Sequence, residues 1–177
     1  MGKEICVDFK KKIKELCKPT IKGRIHMDEK QVKVAGDINN YDLNAKDNKT
    51  KYVHAHRFVK SRTKSEVTEF LREIKDNSYD QILQRYKEEK HKPVKERKLI
   101  RFVSDGFENY RNAFDELFYR VATLRFGVPI ACIKYGLEHN NNAIERYNED
   151  IDQRYKTMRG FESFESASAF LELRRII

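Results

Sequence analysis

The run Leu99, Ile100, Phe102 and Val103, closed by Ser104-Asp105-Gly106, constrains the fold of this chain more than any other feature. A nearly continuous apolar strand is one buried on both faces, as a central strand of a sheet with helices on either side is. The sequence around it supplies such helices. Thr63-Lys64-Ser65-Glu66 is a capping box, a Thr N-cap with Glu three residues on, and Val67, Phe70, Leu71 and Ile74 continue it as a helical stripe. A second helical stretch carries Tyr79, Ile82, Leu83 and Tyr86. It leads into Lys87–Lys98, a charged segment with Pro93 that reads as a solvated loop rather than a DNA-binding arm. After Gly106, Tyr110, Ala113, Phe114, Leu117 and Phe118 form a further helix.

Upstream the periodicity changes to two. Ile25 and Met27, then Val32 and Val34, lie in an extended stretch from Arg24 to Val34, and their change of parity predicts a bulge or bend. Gly36-Asp37 marks a turn. Tyr41, Leu43 and Ala45 alternate, Asp47-Asn48-Lys49 turns, and Val53, Ala55 and Val59 alternate again: a three-stranded antiparallel meander. Val121–Lys134 is β-leaning, broken at Gly127-Val128-Pro129. After Asn140–Asn142 a long helix carries Ile144, Tyr147, Ile151, Tyr155 and Met158 to Gly160, and Ser163 caps a last helix with Phe164, Ala167, Phe170 and Leu171. Three strands, then alternating helices and strands, make an α/β domain with a mixed five-stranded sheet flanked by helices. This is the order of a ribonuclease-H-like domain, an order other α/β folds can share.

At 177 residues, one domain plus short extensions is expected. Residues 1–22 read as a helical extension (Ile5, Phe9, Ile13, Leu16 and Cys17, stopped by Pro19), 23–161 as the core, and 162–177 as a C-terminal helix, truncated. No apolar run reaches the ~18 residues of a membrane span, and the charged N-terminus is no secretory signal. Cys6, Cys17 and Cys132 fit neither a disulfide framework nor a zinc site, and a cytoplasmic location suits them. Lys and Arg number 37 against 28 Asp and Glu, a formal charge of +9 that favours a polyanionic partner, most often nucleic acid. A heavily charged surface suited to heat or salt is the other reading.

Within this basic chain three carboxylates fall where the topology brings elements together: Asp28 on the first strand, Asp105 at the carboxyl end of the apolar strand, and Glu145 early in the long late helix. Ligand sites of open α/β sheets lie at the carboxyl ends of strands. Convergent carboxylates repel, and a hard divalent cation such as Mg²⁺ gives them a reason to coexist. Two such ions ~3.5–4 Å apart stabilise both oxygens of an in-line phosphoryl displacement. With 28 acids in the chain, a cap or surface charge is the commoner role for any one of them, and Asp105 before Gly106 also fits an ordinary strand-exit turn.

The stretches IHMDEKQVKV (25–34), KSRTKSEVTEFL (60–71), FVSDGFENYRNAF (102–114), NNNAIERYNEDIDQRYKTMRGF (140–161) and FESFESASAFL (161–171) resemble, in order, the DDE-class transposases of prokaryotic insertion sequences, the short type with an integrase-like catalytic core. The resemblance implies that Asp28, Asp105 and Glu145 are the catalytic acids and hold two Mg²⁺ or Mn²⁺ ions. It implies strand cleavage at an element end, then attack of the freed 3′-hydroxyl on target DNA. It implies DNA as partner, a homodimer or larger transpososome, and no membrane. By analogy Arg146 faces a phosphate, while Arg154, Lys156 and Arg159 track a DNA backbone, a solvated helical face being nearly as good a reading. Asn141 and Asn142 shape the turn into the helix, and His26 and His139 read as structural. Family members usually carry an N-terminal end-recognition module, absent here, and this chain has no Trp and carries Glu149, Asp150 and Asp152 on the late helix. A truncated, inactive remnant that binds DNA or a partner is therefore the alternative expectation. A nuclease acting on RNA–DNA hybrids or branched DNA is a third.

Overall fold

The computed structural model describes residues 20–126, 142–157 and 160–174. The N-terminal helix expected over Ile5–Cys17, the three cysteines, the break at Gly127–Pro129, His139, Asn140, Asn141, Met158 and Arg159 lie outside these residues. Among the described residues, no helix is long and apolar enough to cross a membrane.

Strands β1 (Ile25–Gln31), β2 (Tyr41–Asp47) and β3 (Val53–Val59) form the expected antiparallel meander. β4 (Arg101–Ser104) runs parallel to β1, and β5 (Thr123–Phe126) runs parallel to β4. The five-stranded mixed sheet has the order β3-β2-β1-β4-β5. Among the described residues four α-helices accompany it: α1 (Lys64–Glu89), α2 (Glu108–Phe118), α3 (Asn142–Thr157) and α4 (Phe164–Arg174).

α1 begins where the capping box puts it, with Thr63 Oγ1 accepting from Glu66 N. The box closes on one side only, because the Glu66 carboxylate pairs with Arg57 of β3 at 2.8 Å. The two helical stretches expected over residues 64–86 are one continuous helix of 26 residues. α4 starts at the Ser163 cap, whose Oγ accepts from Ser166 N at 3.1 Å. The charged segment expected as a loop from Lys87 begins inside α1 and then makes a 3₁₀ turn at Val94–Glu96.

The parity change in the first strand has a different cause from a bulge. Ile25 and Met27 point into a core with Leu43, Ala45, Phe70, Phe102 and Phe114, which α1 and α2 close. Val32 and Val34 are buried in a second cluster with Ile151, Phe161 and Leu171, which α3 and α4 close. Side chains alternate between sheet faces, so the switch from odd to even positions records which face is covered at each end of the strand. The ladder continues past β1 through Val32 N to Asn40 O and ends in a tight hairpin at Ala35-Gly36, both at positive φ. A bulge does occur, between Ala45 and Lys46 of β2 against β3.

Candidate active site

β1 and β4 pair through Ile25 with Phe102 and His26 with Val103. Two further residues along the same parallel register, Asp28 stands opposite Asp105, at the carboxyl end of β4. There the chain must turn away sharply: Gly106 has φ +104, a conformation costly for other residues, and Asp105 Oδ1 accepts from Phe107 N at 3.2 Å. The strand-exit turn and the acidic position are thus one feature.

The structure brings Asp28 and Asp105 together, as expected, and adds Glu29. One carboxylate oxygen from each of the three lies within 4.8 Å of the others. Glu145 stands in the first turn of α3 and is outside this group, although its charge helps to raise the Asp28 pKa. Asp28 is pushed up to about 7, first by burial, then by the charge of Glu29, with smaller contributions from Asp105 and Glu145. Glu29 is raised as well, by burial and by Asp105, against the opposing pull of Arg62.

Each acid is positioned by a neighbour. Asn148 of α3 donates its side-chain amide to Asp28 Oδ2 at 2.8 Å. Arg62 donates to Glu29 Oε1 at 2.5 Å and lies over the Phe107 and Tyr41 rings, 4.9 and 4.7 Å from their centroids. Asn109 of α2 in turn donates to the Arg62 carbonyl. The buried Tyr110 hydroxyl faces the Glu29 carboxylate, which it helps to stabilise as a hydrogen-bond donor.

Three carboxylates within reach of one another, offset among the described residues by the Arg62 guanidinium, are an all-oxygen donor set carrying surplus negative charge. These residues fit a hard divalent cation, which takes just such ligands. Asp28, Glu29 and Asp105 would hold it.

The chain matches no family model and no curated protein.

Of the expected DNA-contacting residues, Arg146 and Lys156 are exposed on α3. Arg154 is part of the same helix, and Arg159 lies outside the described residues. The acidic character of α3 has a structural role at one position: Asp152 pairs with Lys30 of β1 at 2.5 Å and helps dock the helix on the sheet. Sequence reasoning missed Glu29, Asn148, Arg62 and Tyr110. For Glu29 the signal was present in the Asp28-Glu29 pair, but strand alternation sends adjacent residues to opposite faces. At the end of the β1–β4 pairing the longer Glu side chain reaches the same place as the Asp. Arg62 and Asn148 are polar residues on a loop and a helix, and only the tertiary fold brings them to the acids.

Proposed function

We propose that this chain is the catalytic core of a DDE-type transposase, a metal-dependent DNA strand transferase built on a ribonuclease-H-like sheet. The observation that carries the reading is the convergence of Asp28 and Glu29, in the middle of β1, with Asp105 at the carboxyl end of the adjacent parallel strand β4, inside a strongly basic chain. The ordered sequence resemblance supports it, and so does the antiparallel meander joined through β1 to two parallel strands.

Bound divalent ions supply charge neutralisation and activation of the attacking oxygen in such chemistry. The chain's own residues set the stage. Asp28 and Asp105, on separate strands, fix two donor oxygens on a rigid frame. Asn148 holds Asp28 Oδ2, so the carboxylate keeps its orientation. Arg62 limits the repulsion around Glu29. Glu145, close enough to act on Asp28, completes the acidic environment from α3. Arg146 and Lys156, exposed on α3, would meet a phosphate backbone in this reading.

The alternative of an inactive remnant rests on the missing end-recognition module and on the acidic residues of α3, and the Asp152–Lys30 pair gives one of those acids a packing role. The test is nicking of supercoiled and linear duplex DNA with Mn²⁺ or Mg²⁺. Nicking that disappears in Asp105→Asn is expected; nicking that persists in that variant overturns the assignment. Preferential cleavage of RNA–DNA hybrid would move the chain to the nuclease reading.

A further inference from the structure

At the opposite end of the same strands lies a groove of about 1000 Å³. Its walls come from the entry to β1, the β2–β3 turn, α1 and the charged segment before β4, and eight of its lining residues are Lys or Arg against one acid, Glu96. From Arg24 to Asp28, or Arg101 to Asp105, is four residues of strand, about 13 Å. The groove is therefore separate from the acidic site.

Its walls are built, not merely charged. Asp47 spends both carboxylate oxygens on backbone: Oδ2 accepts from Lys22 N and Gly23 N, Oδ1 from Lys49 N and Thr50 N, all within 2.9 Å. These bonds hold its carboxyl below the usual range, against the opposing effect of burial. Asn48 Oδ1 accepts from Arg24 N at 2.9 Å. The approach is so close that a Cβ on Gly23 would stand 2.0 Å from Asn48 Oδ1. Across the groove the buried Glu89 accepts from Lys98 N at 2.9 Å and from Lys92 Nζ at 2.8 Å. The Arg97 guanidinium ties back to the Lys90 and Lys92 carbonyls. Asp47 and Glu89 are thus engaged in shaping its loops; in the lining Lys22, Lys49, Lys95 and Lys98 are exposed beside one exposed acid, Glu96, and the exposed Arg85 stands 3.6 Å from Glu88.

We propose that this groove binds a nucleic-acid duplex through its phosphate backbone. A concave basic surface concentrates positive potential and suits a linear polyanion. Apart from the cations its lining offers Ile21, Leu99 and Ile100 but no aromatic ring. Single-strand binders combine a basic groove with aromatic stacking platforms, so this lining favours paired nucleic acid. The chain's own N-terminus is a poor occupant on charge, since residues 1–19 carry six Lys and three acids. The segment Lys87–Lys98, which reads as a solvated loop in sequence, becomes one wall of this site. Binding here is independent of the acidic cluster and of the transposase reading.

The experiment is fluorescence anisotropy of a labelled 20-base-pair duplex with the full chain, in EDTA, over a salt series. In the variant Lys49→Gln/Lys95→Gln/Lys98→Gln, affinity is expected to fall about 100-fold and the slope of log K against log salt to fall by about 2–3. EDTA removes any divalent ion from the acidic site, which separates binding here from the catalytic assignment. Arg146→Gln/Lys156→Gln serves as the comparison from the other end of the strands. Circular dichroism verifies the fold of each variant. Unchanged binding in the triple variant overturns the proposal, as does a loss confined to the α3 variant. Tighter binding of single strands, or sedimentation with phosphatidylserine vesicles but no duplex binding, also overturns it.

Discussion

Two acidic clusters lie along the β1–β2–β3 ladder, one buried and one partly open to solvent, and they are resolved in opposite ways. Asp28 on β1, Asn44 on β2 and His56 on β3 lie side by side in the strand register. At the His56 end, its Nε2 stands 2.5 Å from Asp42 Oδ1 and its Nδ1 stands 3.1 Å from Glu172 Oε2 of α4. Asn44 donates to Asp42 Oδ2. Two carboxylates there have an internal cation, and His56 is raised to about 9, the two acids outweighing the cost of burial. At the Asp28 end, three carboxylates converge, and among the described residues Arg62 is the cation paired with them. A buried charge without a partner is expensive. The fold settles that cost internally where a helix docks; at the Asp28 end, on the function proposed above, a cation from outside would settle it.

Breaking the paired cluster should have the largest effect. His56→Ala leaves Asp42 and Glu172 facing each other, at an expected cost of about 3–5 kcal/mol in unfolding free energy by urea titration. A cost below 1 kcal/mol would mean that the triad does not latch α4 to the sheet.

The pH dependence separates the clusters next. His56 has a folded pKa above its ordinary 6.5, so its stabilisation is fully present below 6.5 and lost as pH rises through about 9. Asp28 is raised above its ordinary 3.8, so its contribution is present below 3.8 and lost as pH rises through about 7. Each amounts to about 3–4 kcal/mol across its window. Without divalent ions, Asp28→Asn should flatten the stability curve between pH 4 and about 7 relative to wild type. Any loss it causes between about 7 and 9 should match that of wild type.

A cation sharpens the contrast further. At Mn²⁺ a hundredfold above its dissociation constant, wild type should gain about 2.7 kcal/mol, and Asp28→Asn should gain nothing. Thermal unfolding with and without the ion measures both. The smallest effect belongs to an exposed pair: Arg57→Ala, which removes the partner of Glu66, should cost about 0.2–1 kcal/mol.

The residues whose role is local were legible in the sequence. Thr63 and Ser163 announce their helices because a hydroxyl at an N-cap acts within three residues, and Leu99–Val103 announces a central strand because burial on both faces leaves no polar alternation. Asp105 was found because a strand's carboxyl end is a predictable place, and Asp28 because it lies on the first strand of the expected sheet. The parity change at Val32 was visible but ambiguous, since a bulge and a change of covered face leave the same trace. The Asp42–His56–Glu172 triad was not legible at all. Its members come from two strands and a distant helix, and each looks like a surface residue until α4 packs on β3. The basic groove was hidden for the same reason, because Glu89 and Asp47 organise loops that are far apart in the chain.

The most direct test of the unpaired cluster is calorimetric titration of Mn²⁺ into the full chain, beside Asp28→Asn, Asp105→Asn and Glu172→Gln, with and without duplex DNA. The account predicts binding to wild type that either Asp substitution removes and that Glu172→Gln leaves intact. Equal binding by all four proteins, or none by folded wild type even with DNA present, would contradict it.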